Sequence, residues 1–262
     1  MRSTRLLILT LGLTALAACS SDEVSTSTLP PFGAVRFINA VADTGAVDFR
    51  MIDQLEFSAI GNGVNFRTGT EYQVTEAKTR KIRVFLTSRD INVTQVALLD
   101  ADVEVPANSR ITLLLTGSAR AKTLKFVTIN DDASAPAAGS IAVRLVNTAS
   151  GAVNGYVVAT PTSTIADPAS AANVATLGAS PYVTRTTGDA AVRVTDVGSA
   201  TVNASAAGPV ATVLAGALPA AGVNSAGTKF SAYYFPRGVA GSPQTSTTAA
   251  VVWFIDRNPA EQ

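Results

Sequence analysis

The chain contains one cysteine, Cys19, and no histidine. Without imidazole there is no Ser-His or Cys-His nucleophile pair, no histidine acid–base catalyst and no histidine-built zinc or copper site. Carboxylates, lysines, tyrosines and hydroxyls remain. The most regular carboxylate set is Asp100, Asp102 and Glu104 in "VALLDADVEV". At alternate positions of a strand they project from one face about 6.5 to 7 Å apart, inside the separation used by inverting glycosidases. One open strand is not a cleft, however, and the favoured reading is a solvated sheet face whose charges discourage edge pairing. Asp43, Asp48 and Asp53 surround an early turn and are hard oxygen donors of the kind that hold Ca²⁺. Their spacing fits no compact calcium loop, so turn chemistry is expected there, and no catalytic, metal-binding or cofactor-binding residue is assigned.

The densest aromatic run is "FSAYYFPRG" at 230–238, with Trp253 and Phe254 beyond it. Exposed aromatics on a sheet stack on sugar rings or anchor protein interfaces. Alternation puts Phe230, Ala232 and Tyr234 on one face and Tyr233 and Phe235 on the other, so at least half of the run is expected in a core. Arg36 and Arg144 occupy matching strand positions, as do Arg83 and Arg193, which suggests pairing with an acid across a sheet.

Cys19 has different surroundings. Arg2 and Arg5 precede the apolar run "LLILTLGLTALAA", which ends on small residues before the cysteine. That is the form of a secretory signal, and at thirteen residues it is short of the roughly 20 a membrane-spanning helix needs. Leu16-Ala17-Ala18-Cys19 resembles the lipobox of bacterial lipoproteins. The resemblance implies cleavage between Ala18 and Cys19 and acylation of the Cys19 thiol and new amino terminus. Several acyl chains are needed for stable anchoring, since each buried methylene contributes about 0.8 kcal/mol and one chain holds only marginally. Ser20, rather than Asp, after the cysteine looks like an outer-membrane destination. Asn-X-Ser/Thr matches at Asn92 and Asn203 are discounted, because a lipobox implies a bacterium.

The chain has 20 Lys and Arg against 19 Asp and Glu. Cleavage before Cys19 removes Arg2 and Arg5 and no acid, leaving a mature chain one charge negative. That balance lacks the basic patch a nucleic acid demands. With no second cysteine, an oxidising compartment is met by core packing rather than disulfides.

Residues 19–33, with "SSDEVSTSTLPPFG" after the cysteine, read as a flexible tether. Beyond it, short alternating runs such as "KIRVFLTS" and "ITLLLTG", broken by Gly, Pro, Asn and Asp, predict an all-β sandwich or barrel. The pattern occurs twice. "AVRFINA" at 34–40 matches "AVRLVNT" at 142–148, and Gly45-Ala46-Val47-Asp48 matches Gly151-Ala152-Val153-Asn154. Tyr72 precedes Ile82-Arg83-Val84 by the same interval that separates Tyr182 from Val192-Arg193-Val194, and both copies close on an apolar strand ending in an acid, Asp131 and Asp256. Two β-domains are therefore expected, at 34–132 and 140–258, with a linker at 133–139, a tail at 259–262 and the signal at 1–18. The first carries 24 charged residues and the chain from 140 onward only 11, so the second is expected to offer the surface that touches a partner.

The run "AVRFINAVADTGAVDFRMID" resembles the start of the bacterial family catalogued as domain of unknown function 4397 (DUF4397). The second copy departs from the pattern by a shorter turn and by Asn154 in place of Asp48. The resemblance implies two tandem immunoglobulin-like β-sandwich domains on a secreted or lipid-anchored protein, and it brings no catalytic residues. The sequence is thus read as a lipid-anchored cell-envelope protein with a non-catalytic binding or structural role, meeting the membrane through its lipid, with an envelope protein or glycan as its candidate partner. The alternative is a carbohydrate-binding module or a carboxylate-dependent surface hydrolase.

Overall fold

The computed structural model describes residues 29–54, 61–166, 168–212, 220–243 and 246–260. Cys19, Ala18 and most of the tether lie outside them. Residues Pro31–Gln262 form one compact unit, built from two copies of one β-sandwich plan.

Repeat 1 contains β1 (Phe32–Asn39), β2 (Val47–Met51), β3 (Gln73–Glu76), β4 (Thr79–Leu86), the single helical turn α1 (Ile91–Thr94), β5 (Ala97–Glu104), β6 (Arg110–Thr116) and β7 (Lys125–Asn130). They form a four-stranded sheet in the order β3-β1-β6-β7 and a three-stranded sheet β2-β4-β5. Repeat 2 contains β8 (Ser140–Asn147), β9 (Val153–Val158), β10 (Ala171–Val174), β11 (Val183–Thr186), β12 (Ala191–Asp196), β13 (Val202–Ala207), β14 (Lys229–Phe235) and β15 (Ala250–Arg257). Its sheets run β11-β8-β14-β15 and β10-β9-β12-β13. The extra strand β10 has a vestige in repeat 1, where Val64 makes an isolated antiparallel bridge to Val47.

In each repeat the first strand lies parallel to the sixth of the shared plan, β1 beside β6 and β8 beside β14, while the remaining pairings are antiparallel. This matters for position, because parallel neighbours leave the sheet at the same end. The connections after β1 and β6 therefore sit together, and so do those after β8 and β14. Gly117, in the turn after β6, has φ +101° and no room for a Cβ beside the Thr123 carbonyl, so this tight turn requires glycine.

Each sandwich closes on its own core. Val35 and Phe37 of β1 and Ile111, Leu113 and Leu115 of β6 pack against Val47, Phe49, Ile82 and Val84 of the facing sheet. Repeat 2 has the same arrangement around Ile141, Val143, Leu145, Val192, Val194 and Phe230. A third core lies between the repeats: Ile38, Leu114 and Ile129 meet Val146, Tyr233 and Phe235. Strands β1, β6, β8 and β14 are consequently covered on both faces, and every residue of β8 and β14 is buried. The aromatic residues of β14 are thus interior, while Trp253 and Phe254 are partly buried. Tyr233 packs edge-on to Phe254 at 5.2 Å, and Phe66 reaches across from repeat 1 to Phe235 at 6.0 Å.

Two buried asparagines fasten the strand exits. Asn39 donates to the Val64 carbonyl and accepts from Val41 N–H. Asn147 donates to the Gly151 and Val174 carbonyls and accepts from Ala149 N–H. Both are 0% exposed, so truncation strands buried backbone groups at about 1–3 kcal/mol. Asn39→Ala and Asn147→Ala are each expected to lower unfolding stability by that amount in chemical denaturation; a change within error at both positions would contradict this role.

Candidate functional site

The groups that could do chemistry converge on the plane between the repeats. Arg36 of β1 crosses to repeat 2, donating through Nη2 to Asp256 Oδ1 at 2.8 Å and through Nη1 to the Ile255 carbonyl at 2.9 Å. Arg144 of β8 crosses the other way, donating to Asp131 Oδ1 and, at 2.8 Å, to the Asn130 carbonyl. Each aspartate is held by its own repeat: Asp131 accepts from Tyr72 at 2.7 Å and Thr112 at 2.6 Å, and Asp256 from Tyr182 at 2.8 Å and Ser231 at 2.6 Å. Each arginine also donates through Nε to its own repeat's hydroxyl, Thr112 or Ser231, and lies over its own tyrosine ring. The contacts are related by exchange of the two repeats, which is the signature of a two-fold, isologous interface.

Position follows from register. Arg36 pairs with Thr112 in the parallel β1–β6 ladder, as Arg144 pairs with Ser231 in β8–β14. Both arginines sit on the strand face opposite their own sandwich core, so their side chains project into the partner repeat. The sequence expectation of an acid across the sheet holds for Arg83, and Arg36 stands 3.7 Å from Asp131 of its own sheet; the acids that Arg36 and Arg144 hydrogen-bond, however, belong to the other repeat.

The side chains of Arg36, Asp131 and Asp256 are almost fully buried, and the centre holds two cations and two carboxylates. Burial disfavours the Arg36 cation, but Tyr72 and the carboxylates outweigh it and raise its pKa above the ordinary value. Burial pushes the Asp131 carboxyl up; Arg36 and Arg144 pull it down without cancelling that shift. Burial also raises Tyr72 and Tyr182, with the neighbouring carboxylates adding to it, so the phenols keep their protons and donate.

A second, unsymmetrical set of contacts surrounds the lock. Arg110 donates to the Asp256 carbonyl at 2.5 Å. Lys229, its counterpart, donates to Asp132 at 2.6 Å and Ser134 at 3.1 Å on the connector between repeats. Arg67, which adopts φ +67°, reaches the long loop after β14 and donates to Pro236, Ser246 and Thr248. Arg120 donates to the Gly241 carbonyl of the same loop.

The other sequence candidates are tied up locally. Asp100 pairs with Arg83 at 2.6 Å, and Lys81 spans Asp100 and Asp102 at 3.5 and 3.4 Å. Asp43 accepts from Ser118 Oγ and from the Ala119 and Arg120 amides. Asp48 accepts from Gly63 N–H, Thr87 and Arg50, and Asp53 from Arg80. Among the described residues no group of three or more metal-ligating side chains comes together. Arg193 donates to the Ser163 carbonyl, while its counterpart Arg83 makes a cross-strand ion pair. Tyr72 and Tyr182, and Asp131 and Asp256, occupy matching positions of the two repeats in the sequence, which offers no role for them. The clasps by Arg67 and Arg120 had no signal in the sequence.

Four loops meet at one end of the unit: those after β1, β6, β8 and β14, with Leu177 of the β10–β11 connection beside them, line a groove of about 680 Å³ that includes Asp43, Ser118, Arg120, Thr148 and Val239.

Fold and site together define a tandem β-sandwich protein whose two repeats are joined face to face by reciprocal, buried arginine–aspartate pairs. Residues 33–156 match the family model described as Domain of unknown function (DUF4397), and the chain resembles that family over repeat 1 and the first strands of repeat 2. No curated protein matches the chain. Among solved structures, it is similar to CBMbc (family CBM26) from Eubacterium rectale Amy13K, crystallised with maltoheptaose. The identity is 8% over 86% of this chain and 95% of that one, with a TM-score of 0.25. It is also similar to a streptococcal structure titled "Alpha-glucan binding by a streptococcal virulence factor", at 14% identity over 65% of this chain and 83% of that one, with a TM-score of 0.21.

Removing one partner of a buried pair leaves the other charge uncompensated, at about 3–5 kcal/mol, whereas an exposed pair contributes about 0–1 kcal/mol. Arg36→Ala is therefore expected to cost several times more stability than Arg83→Ala in parallel denaturant titrations; equal effects would contradict the lock. Burial opposes ionisation of Asp132, but hydrogen bonds from Lys229 and Ser134 prevail and hold its carboxyl at about 2. Its unfolded value is about 3.9, so the folded state favours the ionised form. The stabilisation is present above the unfolded value and is lost as pH falls towards 2. Asp132→Asn should flatten this part of the pH–stability profile, and an unchanged slope would remove Asp132 from the account.

Proposed function

We propose that this is a lipid-anchored protein of the bacterial cell envelope, held through Cys19, whose two locked repeats act as a rigid, non-catalytic body that binds a partner through its four-loop end. The observation that supports a binding role is the convergence of the loops after β1, β6, β8 and β14 on one groove, fixed by a buried lock rather than by flexible contact. Binding residues concentrate on loops presented by a rigid scaffold. The carboxylates with catalytic spacing support the non-catalytic part of the reading: Asp100 and Asp102 are neutralised by Arg83 and Lys81, and Asp131 and Asp256 are enclosed in the lock. Outer-membrane placement follows from Leu16-Ala17-Ala18-Cys19 and Ser20 alone.

The second reading, a glycan-binding module, loses the β14 part of its aromatic platform to the interior and keeps only the partly buried Trp253 and Phe254 of β15. A glycan would instead have to meet the groove through hydroxyls such as Ser118, Thr148 and Ser150.

Metabolic labelling with a fatty-acid analogue is expected to mark the wild type and not Cys19→Ser; equal labelling would refute the anchor. In native cells, crosslinking with mass spectrometry should place partner crosslinks on the four-loop end. A glycan array with a broad hydrolase screen on the mature domains decides the rest. Reproducible turnover abolished by Asp102→Asn would overturn the non-catalytic reading.

A further inference from the structure

The face that joins the repeats carries the same set on both sides: an arginine, a tyrosine, a hydroxyl and an aspartate, in the same register. A face of that kind is complementary to its counterpart because it is complementary to itself. We propose that the lock face is a self-complementary docking surface, and that repeat 1 takes a second copy of repeat 1 on it, with Arg36 of each chain paired to Asp131 of the other.

The geometry supplies the polar contacts such a pairing needs. Asp131 already accepts from Tyr72 and Thr112 of its own repeat and leaves Oδ1 for an arginine from across the plane, which Arg144 now provides. Arg36 already rests on Thr112 and Tyr72 and reaches for an aspartate and the carbonyl of the residue before it. In repeat 1 those groups are Asp131 and Asn130. The apolar complement is present as well: Ile38, Leu114 and Ile129 line the plane on this side. Charge balances, since two arginines would again face two aspartates.

Repeat 2 occupies this face in the closed chain for two reasons. The connector at 132–139 makes the encounter intramolecular, with a high effective concentration. The clasps by Arg67 and Arg120 on the loop after β14 act only between unlike repeats. Opening exposes the face without disturbing either sandwich, because the core of repeat 1 contains no residue of repeat 2. An opened chain would then recruit a second copy of itself.

The test has two arms. Repeat 1 alone, residues 31–136, is expected to be a folded dimer by circular dichroism and light scattering. Arg36→Asp and Asp131→Arg should each be monomeric, and mixing the two variants should restore a dimer, because the mixed dimer keeps one native Arg36–Asp131 pair and forms the other with its charges exchanged. A monomeric or unfolded wild-type repeat 1, or a mixture that stays monomeric, overturns the proposal.

In the full mature chain, the double variant Arg144→Asp with Asp256→Arg makes unlike repeats repel and like repeats attract. It is expected to run as a dimer. Adding Arg36→Asp with Asp131→Arg should return it to the monomer expected of the wild type. A double variant that remains monomeric, or that unfolds while the fourfold variant folds as a monomer, also overturns it.

Discussion

Four ionisable groups buried in one plane constrain everything around them. Taking a charge out of water costs several kcal/mol even after relaxation, so Arg36, Arg144, Asp131 and Asp256 are tolerable only when paired and hydrogen-bonded. The protein meets that condition by crossing the pairs. If each arginine served its own repeat's aspartate, each sandwich would carry a neutral internal pair and the two faces would have only apolar contact to align them. Because each arginine serves the other repeat, separation exposes four unsatisfied groups at once. The plane is thereby a specific joint rather than a greasy one, and its register is set to the residue.

The rest of the molecule follows from that joint. Strands β1, β6, β8 and β14 must be covered on both faces, which explains continuous burial along β8 and β14 where a simple sandwich would alternate. The hydroxyls of Thr112 and Ser231 are needed at the parallel-ladder positions facing the arginines, and the tyrosines at 72 and 182 cap the outer side of each carboxylate. The polar set of the joint does not distinguish one repeat from a copy of itself. Distinction comes from its apolar residues, where Leu114 corresponds to Tyr233 in the repeat plan, and from its edges, where Arg67 and Arg120 hold the long loop after β14 and Lys229 holds the connector.

The sequence showed the repeat unit clearly and the joint hardly at all. Strand alternation locates Ile82, Val84, Ile111, Leu113 and Leu115 in the first sandwich core, because a sheet facing one core obeys a period of two. The same rule fails for Leu114, Ile38, Tyr233 and Phe235, since it counts one core per sheet and these residues belong to another. The matching arginines, tyrosines and terminal aspartates were visible as a pattern without a partner. Pairing across a repeat boundary leaves no local signature: Arg36 and Asp256 are 220 positions apart. The carboxylates that looked most chemical by spacing, Asp100 and Asp102, face Arg83 and Lys81 on the next strand, and that adjacency appears only once β4 and β5 are in register.

The joint also determines where the molecule can meet something else. Since β1 runs parallel to β6 and β8 to β14, each repeat sends two loops out of the same end. A two-fold axis between repeats could place those ends together or far apart, depending on its direction. Here the arginines on β1 and β8 cross to aspartates at the ends of β7 and β15, which sets the repeats so that all four loops surround one groove. The loop after β14 is the long member, and it is the one repeat 1 clasps. A partner at this end would therefore read residues from both copies at once, from Asp43 and Ser118 on one side to Thr148 and Val239 on the other. Neither repeat presents that surface alone, which gives a physical reason for the chain to keep two copies and to hold them by buried charge.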